Sequence, residues 1–334
     1  MRVMVAGGAG FIGSHVSEAL LRAGHQVVCV DNLLTGRLEN IAHLRDEPGF
    51  AFQETDIASV EIQPVDVILH LASPASPIDY QLYPLETMAA NSAGTWRLLD
   101  VALAAGARFV YASTSEVYGD PLVHPQPETY WGNVDPVGPR SCYDEGKRFG
   151  EALVTSYRRV NAVPATILRF FNTYGPRMRR DDGRVMPELI SAALDGKPLT
   201  VHGDGSQTRS FCYVDDLVEA IVLVLTDPLA DGLILNVGNP EEVTILELAE
   251  RIVSFAGPEA PIATTDRRPG DPERRRPVID KIQDRYGWAP QTPLEVGLRR
   301  TVDWFRESGR PVPVMAPSEP VPVMATTDTS RMIA

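Results

Sequence analysis

The stretch Val3-Met-Val-Ala6-Gly7-Gly-Ala-Gly10-Phe-Ile-Gly13 is a short apolar strand that breaks at a glycine turn and reopens as a helix. Glycines in that order permit a tight turn and let the backbone approach a ligand closely, and the helix N-terminus beyond them offers unpaired N–H groups to an anion. This is the setting that a dinucleotide pyrophosphate requires, with Gly7, Gly10 and Gly13 lining it. Asp31 stands eighteen residues beyond Gly13 at the end of the next apolar run, where its carboxylate can accept hydrogen bonds from ribose hydroxyls. No basic residue immediately follows Asp31, and Arg37 is the first cation after it, so NAD is expected rather than NADP.

Outward from that turn, apolar runs at 3–6, 27–30, 65–71, 108–112 and 165–170 alternate with segments of helical periodicity at 14–23, 84–105 and 143–160. Alternation of this kind predicts an α/β fold, a Rossmann-like doubly wound parallel sheet. Further helical periodicity lies at 187–194, 216–226 and 245–255. Beyond about residue 172 the loops lengthen and arginines gather, at 177, 179, 180, 184, 209, 267, 268 and 274–276, which predicts a smaller C-terminal substrate-binding lobe. We divide the chain into a NAD-binding domain over 1–175, to which 205–238 return, and a substrate lobe over 176–204 and 239–308. Residues 309–334, where Pro-Val-Pro-Val-Met-Ala occurs twice, read as a disordered proline-rich tail.

The chain has 334 residues and a net charge of -13, which argues against nucleic-acid or anionic-membrane surfaces. An anionic ligand must therefore be met by local arginines. Cys29, Cys142 and Cys212 are odd in number and widely spaced, as in a reduced cytoplasmic protein, and no apolar run approaches a membrane span. The six histidines lack ligand spacing, so no metal is expected.

Chemistry enters with Thr114-Ser115-Glu116 and, farther on, Tyr143-Asp-Glu-Gly-Lys147. Tyrosine and lysine four residues apart share one helix face, so the ammonium is expected to lower the phenol's pKa and let it exchange a proton near neutral pH. Alone, such a spacing is an ordinary helix face; beside a dinucleotide fingerprint it describes a redox site.

Together with the longer stretches His70-Leu-Ala-Ser-Pro-Ala-Ser-Pro77, Ser113 to Asp120, Glu128-Thr-Tyr-Trp-Gly-Asn133, Arg140 to Arg148 and Phe171-Asn-Thr-Tyr-Gly-Pro-Arg177, these motifs resemble the UDP-glucuronate decarboxylases, or UDP-xylose synthases. That family lies in the extended short-chain dehydrogenase/reductase superfamily, and the resemblance covers roughly residues 1–308. It implies a catalytic set of Thr114, Ser115, Glu116, Tyr143 and Lys147. It implies NAD binding by Gly7, Gly10, Phe11, Ile12, Gly13, Asp31, Asn32, Asp56, Ile57, Leu71 and Ala72, with Tyr143 and Lys147. Substrate contacts fall to Asn172, Arg177, Val185, His202, Arg209 and Arg276, although the register of 274–276 stays open, and His202 reads equally as a stacking residue or an exposed one. Helices near 84–105 and 143–160 correspond to the pair that forms a homodimer interface in the superfamily; burial within a monomer would suit the same alanines and leucines.

The implied reaction takes UDP-glucuronic acid to UDP-xylose. Oxidation at C4 places a carbonyl β to the C6 carboxylate, loss of carbon dioxide leaves an enolate, and reduction at C4 follows protonation at C5. Related 4,6-dehydratases carry an aspartate where Ser115 stands, and 4-epimerases typically lack a carboxylate at the position of Glu116. A UDP-sugar 4-epimerase remains the nearest alternative, and a redox-dead NAD-binding sensor or scaffold is the alternative of another kind.

Overall fold

The computed structural model describes residues 1–257, 260–266 and 274–308; the expected tail over 309–334 and the arginines at 267 and 268 lie outside the described residues. Its main sheet has seven parallel strands: β1 (Arg2–Ala6), β2 (Gln26–Asp31), β3 (Phe50–Glu54), β4 (Val67–His70), β5 (Arg108–Thr114), β6 (Ala165–Phe170) and a last strand, Ile234–Val237. The order is β3-β2-β1-β4-β5-β6, with Ile234–Val237 beside β6. The apolar runs are near-continuous because both faces are covered. Val3 and Val5 enter one core with Val27, Cys29, Val67 and Leu69, while Met4 and Ala6 enter the other with Val28, Val30 and Ile68. Successive side chains of a strand point to opposite faces, so a strand covered on both sides needs apolar residues at odd and even positions alike.

Strand order reverses between β1 and β4, which opens a crevice at their C-terminal ends. Helix α1 (Phe11–Arg22) starts directly after Gly10 with no capping side chain and no acid in its first turn, so its free N–H groups face that crevice uncompensated. On the other side of the crevice the helix Ser141–Asn161 packs along β5, bringing its first two turns beside the end of that strand.

One expected helix differs. The region 84–105 is two α-helices, Pro84–Ala89 and Thr95–Ala105, joined by a π-helical turn over Ala90–Gly94. The packing accounts for it. Gly94 abuts Ile57, where an added Cβ would lie 2.5 Å from Cδ1, and buried Asn91 donates to Ser73 Oγ at 2.8 Å. Single-turn π insertions of this kind frequently mark functional sites.

Outside the main sheet, Thr208–Ser210, Glu242–Thr244 and Arg274–Arg275 form a three-stranded sheet, and Leu199–His202 pairs with Ile262–Thr265. The first of these lays Arg275 beside Arg209 in parallel register. Two cations far apart in sequence thereby reach the crevice side by side.

Candidate active site

A cleft of about 520 Å³ runs along the C-terminal ends of the strands. At its cofactor end the turn is built for glycine alone. Gly7 has φ of +82°, and a Cβ there would stand 2.7 Å from the Ala72 nitrogen; a Cβ on Gly13 would stand 2.1 Å from the Gly7 oxygen. Asp31 accepts hydrogen bonds from Ala9 N at 3.0 Å and Leu33 N at 2.9 Å, which ties the glycine turn to the end of β2. Burial raises the Asp31 carboxyl above its usual value despite those two donors. Asn32 donates to Asp56 at 2.8 Å, and Asp56 in turn caps the short helix Ile57–Ser59. Gly7, Gly10, Phe11, Ile12, Gly13, Asp31, Asn32, Asp56, Ile57, Leu71 and Ala72 all line this end. A bare anion-seeking helix end, a cradle closed to any Cβ and a carboxylate at the end of β2 together fit a dinucleotide.

The reactive end is assembled from β5 and the helix Ser141–Asn161. Thr114 ends β5 and caps the turn Ser115–Tyr118, its hydroxyl accepting from Glu116 N at 3.2 Å. The same hydroxyl lies close enough to the Tyr143 phenol to favour its ionised form. Tyr143 stacks on Tyr80 with ring centroids 5.3 Å apart and planes 9° from parallel. Lys147, one turn on and 2 % exposed, donates from Nζ to the Ala112 carbonyl at 2.8 Å and lies over the rings of Tyr111 and Tyr143, 5.0 and 5.9 Å from their centroids.

The expected depression of Tyr143 by Lys147 is not what this arrangement produces. Burial dominates and pushes the phenol well above its ordinary value, with the Thr114 hydroxyl opposing, while burial lowers the Lys147 ammonium to about 7. Desolvation penalises whichever charged form it surrounds, and here it surrounds both groups.

Glu116 is the carboxylate of this end. It is ion-paired to Arg140 on one oxygen and to Arg275 on the other. Burial would raise its pKa, yet the two guanidiniums outweigh it and hold the carboxyl below its usual range. Arg275 also donates to the Gly119 carbonyl at 2.9 Å. The residue facing the cleft from the late arginine run is therefore Arg275. Arg276, expected there, does not line the cleft; its backbone N–H donates to Gln126 Oε1 at 2.8 Å, and its guanidinium lies 3.8 Å from Glu242. Strand alternation is the reason, because Arg274–Arg275 pairs with Thr208–Ser210 and turns Arg275 to the same side as Arg209.

The other expected substrate residues, Asn172, Arg177, Val185, His202 and Arg209, all line the cleft with Thr114, Ser115, Glu116, Tyr143 and Lys147. Arg177, with φ of +70°, pairs with Glu18 of α1, which places its guanidinium at the glycine-turn end. His202 Nδ1 is 2.9 Å from Thr265 Oγ1, and the residue is half-buried. Sequence reasoning assigned no role to Tyr80 or Arg140, and it named Arg276 for the late arginine contact while leaving the register over 274–276 open. A signal existed for Arg140, which precedes Tyr143 by three residues and so sits within one helical turn of it; none existed for Tyr80, which arrives from a separate helix.

Residues 3–238 match the NAD dependent epimerase/dehydratase family. The chain belongs to that family. NAD is the family's cofactor and the cofactor of this chain. Among curated members, the chain is 47 % identical over 306 residues to UDP-glucuronic acid decarboxylase 1 of Arabidopsis thaliana, covering 92 % of this chain and 70 % of that protein. It is 46 % identical over 311 residues to UDP-glucuronic acid decarboxylase 3 of the same plant, covering 92 % and 89 %. Among solved members, the UDP-glucuronic acid 4-epimerase from Bacillus cereus, in complex with UDP-glucuronic acid and NAD, superposes with a TM-score of 0.83 at 31 % identity, over 92 % of this chain and 99 % of that one.

Proposed function

We propose that the protein is a UDP-glucuronic acid decarboxylase that uses NAD catalytically and releases UDP-xylose and carbon dioxide. One observation carries this reading: beyond the Thr114–Tyr143 pair, the cleft presents Glu116 between two arginines, Arg140 and Arg275. Guanidinium pairs suit a sugar acid, and the identity to curated decarboxylases favours loss of its carboxyl over epimerisation. Bound NAD supplies the hydride acceptor at C4 and, in its oxidised form, a positive charge that favours the Tyr143 phenolate. Tyr143 takes the proton of the sugar's 4-hydroxyl and returns it at the end of the cycle. Between those events the C4 oxygen carries the enolate charge left by decarboxylation, and the hydroxyls of Thr114 and Tyr143 donate to it. Lys147 fixes Tyr143 from behind and is assigned to the nicotinamide ribose, Asn172 and Arg209 to the substrate's phosphates and sugar, and Val185 and His202 to its uracil end.

Incubation with UDP-glucuronic acid is expected to release one carbon dioxide per UDP-xylose formed with no net accumulation of NADH. Return of the substrate unchanged or only epimerised at C4 would refute the assignment. A redox-dead sensor is disfavoured because Thr114, Tyr143 and Lys147 stand assembled around one cleft.

The working unit is a homodimer. Large apolar side chains stand exposed on the helix pair: Leu85 (74 %), Met88 and Trp96 (51 %) on one side, with Phe149 on Ser141–Asn161. Exposed apolar residues grouped on neighbouring helices mark an interface. A Leu85→Glu, Trp96→Glu double variant is expected to shift the sedimenting mass from dimer to monomer. Among the described residues no helix is long and apolar enough to cross a membrane, and the three cysteines are free and buried, which suits the cytoplasm.

A further inference from the structure

Decarboxylation of a carboxylate consumes a proton: the C5–C6 bond breaks, its electron pair passes through the enolate to C5, and a new C5–H bond forms as carbon dioxide leaves. Tyr143 cannot be the net source, since the proton it takes from the 4-hydroxyl returns there. Each turnover of the proposed reaction therefore draws one proton from solvent through some other group. Arginines do not titrate in this range. Glu116 faces the cleft, but its two guanidiniums favour the empty carboxylate, so it can pass a proton and is poorly suited to keep one.

Behind this cluster lies Asp144, the residue after Tyr143, which does not line the cleft. It is 6 % exposed, its Oδ2 is 3.9 Å from Arg140 Nε, and its Oδ1 has no hydrogen-bond partner. An unpartnered buried carboxylate oxygen is costly, and protonation relieves the cost. Arg140 thus stands between two carboxyls, one in the cleft wall and one behind it.

We propose that Asp144 is the proton-storing residue of this reaction, loading from solvent and passing its proton by way of Glu116 to C5. Asp144 loses the proton as Glu116 gains it, Glu116 loses it as the C5–H bond forms, and solvent reprotonates Asp144. The groups facing Asp144 agree with this. Burial and the neighbouring Glu116 and Glu145 carboxylates raise its pKa to about 7 against the opposing Arg140 and Arg275. The phenols alongside, Tyr80 and Tyr143, are both pushed up by burial, so neither accounts for a titration near pH 7 at this spot.

The inference rests on the decarboxylase reading and is tested on the NAD-loaded full chain with Asp144→Asn, which keeps shape and removes the titrating proton. Turnover is expected to fall about 100-fold, in the range that general acid catalysis contributes, with UDP binding and melting temperature retained. The neutral-pH limb of kcat should vanish, and Asp144→Glu should restore part of the rate and the limb. Independently of turnover, infrared difference titration should show a protonated-carboxyl band lost near pH 7 in the parent and absent from Asp144→Asn. A variant with the parent's rate and pH profile, or a band that persists in it, overturns the proposal. Should Asp144→Asn unfold, a parent without that band does the same. Failure of the parent itself to release carbon dioxide instead removes the function, and with it the demand for a proton.

Discussion

Tyr143→Phe is expected to lower turnover by about 10⁴-fold, the upper range for losing a positioned acid–base group, while leaving NAD binding within a few-fold of the parent. The substitution removes one oxygen from a ring whose position is fixed by other contacts. Tyr80 stacks on it at 5.3 Å, and both residues are buried. The phenylalanine ring should therefore occupy the same place. In the proposed mechanism, what disappears is the atom that takes and returns the 4-hydroxyl proton and that, with Thr114, donates to the enolate oxygen. Both half-reactions and the decarboxylation between them need that oxygen, so neither NADH nor carbon dioxide should form. Fluorescence titration with NADH separates the two outcomes. A variant that binds cofactor but retains more than a few per cent of turnover would remove Tyr143 from the mechanism, and one that no longer binds it would show a structural role.

The parts of this site that were legible in the sequence are those governed by short-range spacing. The glycine turn, Asp31, and the Tyr143–Lys147 pair each follow from one turn, one strand or one helix face, and the structure lays them along a single cleft. Strands with unbroken apolar runs, such as β1 and β6, were equally visible. β3 was not, since Phe50–Glu54 is a half-exposed edge strand with a polar end. Ile234–Val237 is four residues long and gains its place only by pairing with β6. The charge cluster was the least legible part. Arg275 meets Glu116 across 159 residues of chain, and a run of three arginines offers no local reason to choose the middle one. Its selection comes from the register against Arg209, a property of strand pairing rather than of sequence. The phenol's pKa was misjudged for a related reason: helix spacing shows that a lysine is near, but the burial that outweighs it belongs to the assembled fold.

Arg275→Met is expected to cost about 3–5 kcal/mol of stability at neutral pH, the range for removing one partner of a buried ion pair. The arginine side chain is 4 % exposed, and it is paired with Glu116 and bonded to Gly119. Methionine fills similar space but leaves Glu116 paired with Arg140 and without its second guanidinium. The pH dependence distinguishes this cause from simple loss of packing. In the parent, Glu116 is held below its unfolded value of about 4.3, so its ionisation adds stability above that pH, and the contribution is lost as pH falls through the lower folded value. The variant relaxes the depression. The stability gap between parent and variant should therefore be largest near pH 7 and narrow progressively in acid, as measured by urea unfolding at several pH values. A gap that stays constant down to pH 3 would mean that packing, not charge, makes Arg275 necessary. On the proposed mechanism catalysis should fall with it, because the guanidinium assigned to the sugar acid is gone and Glu116, less firmly ionised, is no longer poised to accept and release a proton.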